Sequence, residues 1–191
     1  MKRKPGKRPC WSGKHISVAA LLLLQAVTSA PAIAADENGN NVRLYGALVA
    51  EPCVIPPGDE EIQLDFGTII DKYLYLNTRT LGQGFEIRLA ECDVTLGKTV
   101  TVTFIGAENP ALPGLLAIDG GSEATGIAIG LETPQAQPLP LNKASDKYTL
   151  QGGNNSIALK AYVQGEPGSI ENKAIGRGPF NAVATFALEY E

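Results

Sequence analysis

Short segments of alternating hydrophobicity, turn-forming clusters between them and one pair of cysteines predict an all-β chain, an antiparallel sandwich of immunoglobulin-like type. Alternation marks strands because successive side chains leave a strand on opposite faces. In chain order, Val42, Leu44, Gly46, Leu48 and Ala50 form the first alternating segment, and residues 61–66 the second. Residues 71–81 admit a short turn of helix. Residues 85–89 alternate and lead into Cys92, and residues 99–105 are strongly β-branched, which suits a pleated surface. Residues 127–131 are a short apolar run, and residues 156–163 alternate again. The last segment places Phe180, Ala182, Ala184, Phe186, Leu188 and Tyr190 on one apolar face, against Asn181, Thr185 and Glu189 on the other. Pro56-Pro-Gly58, Asn109-Pro110, Pro113-Gly114, Asp119-Gly-Gly121, Gly152-Gly-Asn-Asn155 and Glu166-Pro-Gly168 punctuate the series as turns.

The two ends of this series differ from the rest. The C-terminal segment is a half-buried strand with no chain after it to supply a neighbour. The first segment follows the polar, flexible Asp36-Glu-Asn-Gly-Asn-Asn41. A strand short of a partner at one end and a spare strand on a flexible lead at the other predict polymerisation by strand exchange. The alternative is that residues 42–50 pair within their own domain as an ordinary first strand.

Residues 1–35 read as a removable export signal. Six basic residues precede an apolar core at 16–27, and Ala32-Ile33-Ala34 supplies the small-x-small cleavage pattern. That core is too short to cross a hydrocarbon layer of roughly 30 Å comfortably, an uncleaved anchor being the alternative. Removing the segment leaves ten basic against 20 acidic residues, a net charge of −10. Such a balance excludes nucleic acid as a partner, because phosphate neutralisation needs a basic face. It also removes Cys10, so Cys53 and Cys92 remain as a pair in an oxidising compartment, with two free thiols as the alternative.

Chemistry is poorly provided for. The only histidine, His15, leaves with the export segment. No triad, general-base arrangement, phosphate loop or metal-ligand set can be assembled without it, so neither an enzyme nor a cofactor or metal is expected. Asp59-Glu-Glu61 reads as a solvated turn rather than a cation site, and Tyr73 and Tyr75 as packing aromatics rather than a sugar platform.

Five blocks carry a specific resemblance: Gly46-Ala-Leu-Val-Ala-Glu-Pro-Cys53, Phe85-Glu-Ile-Arg-Leu-Ala-Glu-Cys92, Val100-Thr-Val-Thr-Phe-Ile-Gly106 with Ala111-Leu-Pro-Gly114, Gly126-Ile-Ala-Ile-Gly-Leu131, and the C-terminal block with Gly178 and the penultimate Tyr190. Over residues 42–191 the chain resembles minor pilins of the chaperone–usher pathway, similar to tip or adaptor subunits of P and type 1 pili. The resemblance implies an incomplete immunoglobulin-like fold lacking its last strand, completed by a strand from a periplasmic chaperone or a neighbouring subunit. It implies a donor strand of Val42, Leu44, Gly46, Leu48 and Ala50. It further implies an acceptor groove of Gly178, Phe180, Ala182, Ala184, Phe186, Leu188 and Tyr190, with the Glu191 carboxylate as chaperone anchor. The implied division is an export signal at 1–35, a donor extension at 36–52 and a pilin domain at 53–191. The implied partners are the chaperone, an outer-membrane usher and neighbouring pilins, and the implied location is a surface pilus, reached through the periplasm. An assembly terminator, or a carbohydrate-binding adhesin domain, is the alternative reading.

Overall fold

The alternating segments form two antiparallel sheets in a computed structural model that describes Val42 and residues 44–191. The expected export segment, the lead at 36–41 and Arg43 lie outside the described residues. The chain divides after Gly46, and the folded body is Ala47–Glu191. It contains α1 (Asp71–Asn77), β1 (Gln83–Cys92), β2 (Thr99–Ile105), β3 (Glu108–Asn109), β4 (Leu112–Ala117), β5 (Ile127–Glu132), β6 (Tyr148–Thr149), β7 (Gly153–Gly165), α2 (Pro167–Glu171) and β8 (Thr185–Tyr190). One sheet has the order β1-β7-β5-β4-β3, the other β6-β2-β8. Among the described residues no helix is long and apolar enough to cross a membrane.

The core follows from the alternation. Ile157, Leu159, Ala161 and Val163 put one face of β7 inward, beside Ile87 and Leu89 of β1 and Ile129 and Leu131 of β5. Val100, Val102 and Phe104 of β2 close the core from the other sheet. Phe85 and Phe104 meet edge-on across the two sheets, with ring centroids 6.3 Å apart, the geometry that aromatic quadrupoles favour.

Two covalent or ionic ties fix the connections. Cys53 and Cys92 are joined in a disulfide with Cα atoms 4.1 Å apart. Beside it, Val54 forms a single bridge with Ala90 at the end of β1, so Cys53 precedes one bridge rather than opening a full strand. At the other end of β1, Arg79 donates to the buried Glu132 carboxylate at 2.7 Å and lies 4.1 Å over the Tyr162 ring. This pair holds the segment leading into β1 against the five-stranded sheet.

Two expected strands are shorter than their patterns. Residues 61–66 alternate between half-buried and exposed as expected, yet residues 61–69 make no main-chain hydrogen bond to other main chain among the described residues. In the C-terminal segment only Thr185–Tyr190 is paired strand, because β2 ends at Ile105, opposite Thr185. Residues 182–184 lead into it without a main-chain hydrogen bond among the described residues. The apolar pattern is right in both places, and what is missing is a neighbour.

Candidate functional site

Those two unpaired stretches face one another across a groove of about 1350 Å³. Ile62, Leu64, Phe66 and Ile69 line one wall. Phe180, Ala182, Ala184 and Phe186 line the other, and Phe85, Phe104, Leu116, Ile129, Leu131 and Ala161 form the floor. The floor is therefore the sandwich core itself, seen from the side. Phe66 and Phe180 approach across one end with ring centroids 6.2 Å apart. Beyond them lies a smaller hollow of about 190 Å³, bounded by Ile69, Ile70, Leu74, Gly176, Gly178 and Phe180.

Each wall is positioned from behind. Asp119 donates its main-chain N–H to Asn181 O at 2.7 Å, and Glu123 to Pro179 O at 2.9 Å, holding the start of the C-terminal wall to the loop that precedes β5. From Thr185 onward, β2 provides that support on one edge only. On the opposite wall, Gln83 Nε2 donates to Asp65 O at 2.8 Å. An exposed strand edge beside an apolar cleft is a template for another chain. The walls run in opposite directions, so a strand laid between them is antiparallel to one and parallel to the other, and pairing with both would satisfy both edges and bury the floor.

The six residues expected on one face of the C-terminal segment are all half-buried and packed against the core. Burial, helped by the Glu51 charge, pushes the Tyr190 hydroxyl up from its ordinary pKa. The main-chain oxygen of Glu191 accepts from Lys98 N at 2.7 Å and Thr99 N at 3.0 Å, and its side chain pairs with Lys147. The structure thus ties the C-terminal residue to β2. The sequence pattern gave no sign that residues 62–69 would form the second wall, since an unpaired strand and a paired one alternate alike.

Gly178 stands at the mouth of the groove with φ +144°. A Cβ there would sit 2.4 Å from Glu123 Cβ and 3.2 Å from its carbonyl carbon. Gly178→Ala is expected to lower the stability of the folded body by roughly 1–3 kcal/mol. Gly121→Ala, where a Cβ meets nothing within 4 Å, serves as the control, and thermal unfolding compares the two. Equal melting temperatures would show that the site is not constrained.

Among the described residues the groove is lined by Glu60, Glu61, Asp65 and Asp119 and by no lysine or arginine. At the α1 end, Arg177 donates to Asp71 Oδ2 at 2.9 and 2.6 Å. That hydrogen bonding holds the Asp71 carboxyl below the ordinary carboxylate range, so the tie is lost only as acid titrates it. The expected donor residues Val42, Leu44, Gly46, Leu48 and Ala50 are all exposed, and none lies in a strand. Leu48 shows no loss of accessible surface.

A family model described as "Fimbrial protein" matches residues 42–191. The Fimbria A protein of Serratia marcescens is 34% identical over 163 residues, spanning 85% of this chain and 91% of that one. The fimbrial adapter PapK of Escherichia coli is 33% identical over 180 residues, 91% of this chain and 98% of that one. A subunit in the solved structure of a chaperone–usher pilus, determined to explain rod uncoiling, superposes with a TM-score of 0.64. It is 26% identical and covers 81% of this chain and 97% of its own.

Proposed function

The chain belongs to the fimbrial protein family, and from that premise we propose that it is a minor, adaptor or tip subunit that both accepts and donates a strand. It is a subunit of a chaperone–usher surface pilus with an incomplete immunoglobulin-like fold, and it contacts neighbouring subunits. The finer reading rests on one observation: an apolar groove whose two walls each present a main-chain edge with no strand paired to it among the described residues.

In this reading residues 1–35 direct export and are removed, residues 36–52 form the donor extension, and residues 53–191 form the accepting domain. Val42, Leu44, Leu48 and Ala50 enter the groove of the preceding subunit, and Gly46 allows close approach where a side chain would crowd. Nine residues extend about 30 Å, enough to run beside both walls. A periplasmic chaperone lends the missing strand until an usher brings the next subunit's arm to replace it. The replacement is driven by better burial of apolar surface, and the subunit's role is assembly rather than catalysis. An arm exposed at Val42 and at residues 44–50 and an open groove support a subunit with neighbours on both sides, in preference to an assembly terminator.

Deleting residues 36–50 is expected to leave chaperone binding intact and to abolish incorporation onto a preceding subunit. Co-purification with the chaperone and recovery of the truncated chain in sheared pili are the two measurements. Normal incorporation of the truncated chain would sink the donor assignment.

A further inference from the structure

The donor arm is joined to its own body by a very short tether. Ala50 is two residues from Pro52, which is buried and accepts the Asp93 N–H at 2.7 Å, and Pro52 adjoins the disulfide at Cys53. Two Cα steps span about 8 Å at most. Whatever groove the arm fills, the disulfide-bearing end of its body must therefore lie against that groove's mouth. The arm can be antiparallel to only one wall, and β8 is the wall already in a regular ladder. Strand pairs among the described residues run antiparallel, and parallel pairing is the less stable alternative. An arm antiparallel to β8 exits beside Phe180, the end at which Ile69 passes into α1.

At that mouth α1 carries an unpartnered apolar face. Ile70, Tyr73 and Leu76, spaced three residues apart, are 62%, 41% and 85% exposed. The disulfide end of the body carries exposed apolar groups of its own, Val54 at 48% and Leu96 at 54%. Leu96 is held in a turn by its N–H to Asp93 O. We propose that the exposed face of α1 is the docking surface for the disulfide-bearing end of a second copy of this chain, the copy whose arm fills the adjoining groove. This rests on the strand-donation reading above. It adds a body-to-body contact beside the strand contact, so that a whole subunit holds more tightly than its arm alone.

The test compares two occupants of the full chain's groove: a synthetic peptide of residues 42–50, and a second copy whose own groove is already filled with that peptide. Only the accepting copy is isotope-labelled, and NMR follows its amide hydrogen exchange. Both occupants are expected to slow exchange at 180–186, and only the second copy to slow it in α1. Leu76→Glu is expected to weaken the second copy by about tenfold while leaving peptide affinity unchanged. Several results would overturn the proposal: equal exchange in α1 with either occupant, protection of residues 93–97 of the accepting copy in its place, a silent Leu76→Glu, or a second copy that does not bind where the peptide does. If neither occupant protects 180–186, the strand-donation reading itself fails, and the docking surface with it.

Discussion

Ala182→Asp is expected to weaken binding of the 42–50 peptide about a thousandfold. Ala182 is half-buried on the groove wall, on the same face as Phe180, Ala184 and Phe186. While the groove is empty, a carboxylate there remains in water, and the body tolerates it. Once a strand covers the wall, the same carboxylate is desolvated with no cation among the lining residues to pair with it. An uncompensated charge buried in this way costs about 4 kcal/mol, which corresponds to the stated loss of affinity. Val183→Asp is the matched control, since Val183 is 73% exposed and its side chain leaves the opposite face. The measurement is the peptide-dependent rise in unfolding temperature, titrated for both variants. Equal affinities would remove residues 180–186 from the binding surface.

The second large effect concerns the disulfide. Replacing Cys53 and Cys92 together by serine is expected to destabilise the peptide-filled body by about 4 kcal/mol, the loop-entropy value for a 39-residue separation. A domain of this size is stable by roughly 5–15 kcal/mol, so the loss is a large share. Both positions are buried, Cys53 at 2% and Cys92 at 5% exposure, and two hydroxyls without designed partners would add to it. Chemical denaturation with saturating peptide measures the difference. A midpoint unchanged by the double substitution would show that the single bridge of Val54 with Ala90 suffices to hold this end.

Most strands were legible because their cause is local. The β-branched run at 99–105 became β2 with the same limits, and the alternation at 156–163 became the buried face of β7. The apolar face of the C-terminal segment was legible for the same reason. Pairing is not local, and there the sequence said less. Residues 61–66 carry the pattern of a strand but have no strand beside them, so their part as the second groove wall emerged only in three dimensions. Pro113-Gly114 read as a turn, yet both residues lie within β4. That strand's ladder with β5 begins only at Leu116, so Pro113 is not asked for an N–H. The pairing of Arg79 with Glu132, 53 residues apart, left no signature at all.

The disulfide has a mechanical consequence for a filament under tension. Load arriving through Glu51 and Pro52 can pass at Cys53 straight across the sulfur bridge into the end of β1, bypassing residues 54–91. α1 and the wall at 62–69 lie within that bypassed loop, so on the strand-donation reading load entering through the arm does not run along the chain through the rim of the groove. Where the arm lies along β8, the same pull acts lengthwise on that ladder, so its hydrogen bonds are sheared together rather than peeled one at a time.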